Sequence, residues 1–285
     1  MNDFPTINTG FLPSILPDGY FQGLLPYKVV LESADWRPFA PKGDPQAIPQ
    51  PNPIFDCKGC VSFSNNNVAE TLLKFQGFDF KFSNRALSKL SGTTQVGNDF
   101  QTVEFTNVKN GRILDINWPA PDNPNWNVYY AEIPDAVKRT AIYFHEDWEF
   151  ISTDVATLQY HLKQCPIQIA IPTPHPNHGV CLLYIQGNTA YYLDSYPGAD
   201  GTYMKTMDVS LVEAAMKLII KPVIMAQRYI VQDNNFSPAK IGVLVLEGFT
   251  GTATFADNPP HLQNLKDALG FVGTEPTVQI PKQTI

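Results

Sequence analysis

Four cysteines stand in the 285 residues, at positions 57, 60, 165 and 181, and one of them has the surroundings of a nucleophile. Thiol hydrolysis needs a cysteine whose proton a nearby base can take, and a third group that holds the base in the right tautomer. Cys60 stands where the loop Asp56-Cys57-Lys58-Gly59 runs into Val61-Ser62-Phe63-Ser64, the start of a predicted helix. The positive end of a helix stabilises a thiolate and lowers the thiol pKa. Cys57 falls one turn earlier, outside that helix. The base expected for Cys60 is His178, which precedes the apolar run Gly179-Val180-Cys181-Leu182-Leu183-Tyr184 and would project from a rigid strand end. Across the turn signal Gly187-Asn188 comes Leu193-Asp194-Ser195-Tyr196. Two antiparallel strands joined by that turn bring their outer ends together. Asp194 would then reach the Nδ1–H of His178, with Tyr196 shielding the contact from water.

The elements that must position these residues can be read in outline. Val61, Phe63, Val68, Leu72 and Leu73 make an apolar stripe that predicts a helix over 60–75, stopped by Gly77. A second helix is expected over 83–90 with Ser83 as N-cap, and a third over 100–110 with Gly111 as C-cap. Beyond the Pro-rich turn at 119–124 come a short helix at 135–140, a strand at 142–150 and a helix at 153–164. Strands follow at 167–171, 179–185 and 190–193. Residues 209–228 read as a helical segment interrupted at Pro222, 241–247 as a strand and 261–269 as a late helix. Helices first and an antiparallel half second is an α+β order, with two lobes and a cleft between them. Residues 1–45 read as a Pro-rich extended arm, apart from a short strand-like run at 27–31. Residues 46–200 read as the core and 201–285 as an extension packed on it.

Bulk properties bound the function. With 44% hydrophobic residues and 16% charged, the chain is long enough for a large folded unit. The net charge of −7, with no basic run, argues against nucleic acid as the partner. No apolar run approaches the roughly 18–20 residues that span a bilayer, so no membrane partner is expected. Met1-Asn-Asp-Phe-Pro lacks the charged and apolar regions of a secretory signal, and four cysteines do not make a disulfide scaffold. A reducing, cytoplasmic location is expected.

Cys57-Lys58-Gly59-Cys60-Val61-Ser62-Phe63-Ser64 resembles the nucleophile motif of papain-like cysteine peptidases, Cys-Gly-Ser-Cys-Trp-Ala-Phe-Ser. His178-Gly179-Val180 is similar to their His-Ala-Val, and Asp194-Ser195-Tyr196 to their Asn-Ser-Trp. Gly97-Asn98 and Trp118-Pro119 are similar to the Gly-Gly and Tyr-Pro landmarks. The likeness covers about residues 45–200 and is nearest to divergent members encoded by phages and uncultured bacteria. It implies a papain-like two-lobe fold and peptide-bond hydrolysis through a Cys60 thioacyl intermediate. A peptide or protein substrate, no cofactor, and a phage virion or assembly partner go with it. The place of the family's oxyanion glutamine holds Ile54 here; Gln50 is the candidate donor to the oxyanion, with the backbone N–H of Cys60. Asp at 194 in place of Asn preserves orientation and favours an imidazolium–thiolate pair. Cys57 matches a disulfide cysteine of the family but is expected as a free thiol.

Other readings use the same atoms. Cys57, Cys60, His175 and His178 could supply four zinc ligands, although His-x-x-His is tighter than the usual spacing. A redox Cys-x-x-Cys lacks its βαβ setting. The fold could also serve as a catalytically weak structural or binding module of a phage particle, or act on peptidoglycan as an amidase. His145, His161, Cys165 and Cys181 read as structural, and His175 as surface.

Overall fold

The computed structural model describes residues 10–12, 30–48, 54–172 and 177–220, which belong to one compact unit. The helices α1 (Cys60–Phe75), α2 (Asn84–Leu90), α3 (Phe100–Asn110), α4 (Trp126–Tyr129) and α5 (Asp135–Lys138) come first. They are preceded by a two-stranded ribbon, β1 (Ala47–Ile48) with β2 (Phe55–Asp56). Then follow β3 (Glu146–Ile151), α6 (Val155–Leu162), β4 (Ile167–Ile171), β5 (His178–Gln186), β6 (Thr189–Leu193), β7 (Met204–Asp208) and β8 (Ala214–Ile220). Strands β3 to β8 form one antiparallel sheet in the order β3-β8-β4-β5-β6-β7. The hairpin β5–β6 closes through Gly187, whose φ of 57° lies in the left-handed region that glycine tolerates.

Helix α1 runs against β5, β4 and β8 on one side and against α2 and α3 on the other, so almost its whole circumference is buried. Several of its polar side chains are therefore paired inside the protein. Asn65 donates to Glu104 at 2.8 Å, Asn66 donates to Asn84 at 2.9 Å, and Glu70 accepts the N–H of Phe82 at 2.7 Å. Arg112 joins the helical side to β3 through two bonds to Glu146, at 2.8 and 2.6 Å. The apolar core lies between α1, α6 and the sheet, around Val68, Leu73, Leu158, Ile169 and Leu183.

Two sequence expectations are corrected here. Residues 214–220 form the strand β8, not part of a helix over 209–228. Val212, Met216 and Ile220 fall at helical spacing, but the segment lies between β3 and β4 and is buried on both faces, where period-2 alternation disappears. The buried Lys217 in β8 is held by Glu149 of β3 and donates to Gln164 at 3.1 Å. The boundary drawn at residue 200 falls inside the sheet, because β7 and β8 lie beyond it. The expected strand at 241–247 and helix at 261–269 lie outside the described residues. Among the described residues no helix is long and apolar enough to cross a membrane.

Candidate active site

Cys60 is the first residue of α1, with Gly59 as N-cap, at the end of the helix where backbone N–H groups have no acceptor within the helix. His178 is the first residue of β5, and Asp194 follows the last residue of β6. The hairpin brings the two together: His178 Nε2 lies 2.6 Å from Asp194 Oδ1. The contact uses Nε2, not the Nδ1 expected from the sequence. Gly179, the next residue of β5, donates its N–H to Cys60 Sγ at 3.4 Å, so the start of β5 lies against the head of α1. A Cβ at Gly179 would stand 3.3 Å from both Ser64 Oγ and a ring carbon of Phe100, which explains glycine at this close approach.

Asp194 is fully buried and collects donors from every side. Its Oδ1 also accepts the N–H groups of Ser195 at 2.7 Å and Tyr196 at 3.0 Å. Its Oδ2 accepts from Lys205 Nζ at 2.7 Å. Burial alone would raise the carboxyl pKa, but the charge and hydrogen bond of His178, together with Lys205, outweigh it and hold the group well below the usual carboxylate range. Lys205 escaped the sequence reading because no strand was read over 204–208. The ring of Tyr196 is buried and lies 5.2 Å from the imidazole, centroid to centroid. Its hydroxyl donates to Asp56 Oδ2 at 2.6 Å.

Gln50 lies outside the described residues. A different glutamine, Gln46, is buried beside the site: its Nε2 donates to Asp56 Oδ1 at 3.0 Å and to Tyr196 Oη at 2.8 Å, and its Oε1 accepts from Ser195 Oγ at 3.0 Å. Both amide protons of Gln46 are thus committed to holding Asp56 and Tyr196. Cys57 packs with Phe63 and Tyr129, whereas Cys60 packs with Phe11 and Phe100, so the two sulfurs serve different cores. All four cysteines are free thiols. Among the described residues no three metal-ligating side chains gather; His175, which the zinc reading needs, is outside them.

The N-terminal segment 10–12 packs over Cys60, with Phe11 in the same apolar cluster. Phe11 bridges Asn98 in parallel sense, with Asn98 N–H on Gly10 O and Leu12 N–H on Asn98 O, both at 2.7 Å. Phe11 N–H donates to Asn177 O at 2.9 Å. Cys60 is completely buried and Phe11 nearly so. Burial pushes the Cys60 thiol up, and the Gly179 N–H only partly opposes it. Lys58 and Asn177, which flank this segment, hold positive φ of 57° and 53°. That conformation costs a non-glycine residue about 1–2 kcal/mol, and such backbone strain gathers at functional sites.

No family model matches the chain, and no curated protein matches it. Solved structures do. Xylellain, a cysteine protease from Xylella fastidiosa, is similar over 78% of this chain and 99% of its own, at 14% identity and a TM-score of 0.53. Procathepsin L 3 of Tenebrio molitor larval midgut is similar over 75% of this chain and 76% of its own, at 16% identity and a TM-score of 0.50. The cysteine protease and lectin-like domains of Cwp84, a surface layer associated protein of Clostridium difficile, match over 78% and 58%, at 13% identity and a TM-score of 0.51. At these identities the likeness shows the fold: the chain has the α+β, two-lobe arrangement of papain-like cysteine proteases.

Proposed function

We propose that the protein is a cysteine peptidase that cleaves peptide bonds through a Cys60 thioacyl intermediate. One observation carries the reading: His178 Nε2 is 2.6 Å from a carboxylate while the adjoining Gly179 N–H touches Cys60 Sγ. His178 takes the thiol proton, and Cys60 sulfur attacks the carbonyl carbon. The negative charge moves to the oxygen, which the N–H of Cys60 and the Gln50 amide are positioned in sequence to receive. Collapse expels the amine, which takes the proton back from His178. Water, giving its proton to His178, then attacks the thioester and frees the acyl group and the thiol. Asp194 holds the imidazole throughout. The substrate is a peptide or protein, and the cited cysteine-protease structures support that class. Likeness to phage-encoded sequences rests on the Cys-Val-Ser-Phe-Ser motif, and a virion partner belongs to the same proposal.

The test is alkylation by iodoacetamide near neutral pH followed by peptide mapping. Cys60 should label fastest of the four thiols once the 10–12 segment is displaced, and His178→Ala should slow that labelling at least about tenfold, since a buried thiol without its base stays protonated. Equal labelling in wild type and His178→Ala would sink the nucleophile assignment.

A further inference from the structure

Asp194 stands between the imidazole of His178 on Oδ1 and the ammonium of Lys205 on Oδ2. The sheet explains how. Asp194 directly follows β6, two residues after Tyr192, and β7 places Lys205 opposite Tyr192, diagonal to Asp194. Lys205 is 17% exposed and Asp194 is 0% exposed, so the ammonium is partly solvated while the carboxylate is dry. A dry carboxylate shared with a fixed ammonium has much of its charge cancelled before the imidazole feels it.

We propose that Lys205 is a positioning residue that sets the basicity of His178 by sharing the charge of Asp194, making the Asp-Lys pair stand in for a neutral orienter. This rests on the peptidase reading for its bearing on catalysis, but not for its geometry. The charged and titratable groups around the pair are few. His178 reaches it from β5, Lys205 from β7, Tyr192 from β6 and Asp200 from the β6–β7 loop beside Lys205. Tyr196, bound to Asp56, covers it, and Cys60 faces it from the head of α1. Lys205 is the cation bonded directly to Oδ2. Removing its charge therefore leaves the Asp194 charge to the imidazole and the Ser195 and Tyr196 N–H groups. The imidazolium gains stability, so His178 loses its proton at higher pH.

The experiment uses the full chain and reads His178 by NMR titration, its resonance identified by its loss in His178→Ala. Lys205→Met should fold, because Lys205 lines an open recess of about 580 Å³ together with Met204 and Met207, where an unbranched apolar side chain of similar length fits. Its His178 midpoint should move up by about one pH unit, the shift an unscreened neighbouring carboxylate gives. Lys205→Arg should leave the midpoint near that of wild type. If the enzyme cleaves peptides, the acid limb of kcat/KM should follow the midpoint, because the base must be unprotonated to take the thiol proton. The converse check is Asp194→Asn, which leaves the ammonium facing a neutral amide. It should depress the midpoint, and adding Lys205→Met to it should bring the midpoint back. A midpoint that stays put in Lys205→Met, or one that Lys205→Arg shifts equally, overturns the proposal and makes Lys205 a packing residue. A wild type that cleaves nothing sinks the peptidase reading instead, because the titration is read without substrate.

Discussion

Burial opposes ionisation at several side chains, and what decides each case is the partner supplied. Cys60 is pushed up by burial and has one backbone donor, so its thiolate depends on His178 taking the proton. Asp194 is as deeply buried, yet its four donors hold it low. Glu104 is the opposite case. Burial, with the charge of Glu146, pushes it up to about 8 against the pull of Arg112, and burial does the same to Glu70. An unfolded glutamate ionises near pH 4.3. Between that pH and about 8 the folded protein holds protons that the unfolded chain gives up, so the stability these groups provide is full below pH 4 and is lost as pH rises through 8. Glu104→Gln can still accept from Asn65 and removes one of the two linkages. Its Tm should fall with pH between 5 and 8 at about half the wild-type slope. An unchanged slope in calorimetry would show that Glu104 is ionised in the fold.

At the scale of elements, the strap over Cys60 makes the sharpest claim. Segment 10–12 is held by backbone bonds to Asn98 and Asn177, and its fit is tight: a Cβ on Gly10 would fall 2.3 Å from Lys58 O. Gly10 also has a φ of 110°. Gly10→Ala should loosen the strap while leaving the Cys60–His178–Asp194 cluster untouched. Iodoacetamide should then label Cys60 about tenfold faster or more, as a buried thiol becomes a solvent-facing one. Labelling at the wild-type rate would mean that the strap does not guard the thiol. The strap was not legible in the sequence. Gly10-Phe11-Leu12 has no periodicity, and its partner Asn98 lies in a loop; only the long-range backbone bridge reveals it. By contrast, α1 came out with the bounds read from Gly59 and the apolar stripe, and the β5–β6 hairpin with the turn read from Gly187-Asn188. Those signals are local. β8 was misread because a strand buried on both faces keeps no alternation to read.

For the whole molecule, the order of helical and sheet halves was visible from the chain, and the lobes follow from it. The pairing of His178 with Asp194 followed from the hairpin, but the ring nitrogen used did not, since it depends on how β5 enters the sheet. Lys205 needed the register of β7, which an edge strand of mixed Met, Lys and Thr does not announce. Helix α1 hid its central place for a related reason. Buried asparagines at 65, 66 and 67 weaken the apolar period, and Asn65 and Asn66 are buried against polar partners on α2 and α3 and the Arg112 guanidinium. These pieces all bear on the proposed chemistry of Cys60. The most direct measurement is a peptide-library digest by wild type, Gly10→Ala and Cys60→Ala, with fragments identified by mass. Wild type should cleave, Gly10→Ala should cleave faster, and Cys60→Ala should lose at least about a thousandfold in rate, as removal of a nucleophile does. Undiminished cleavage by Cys60→Ala would contradict the assignment outright.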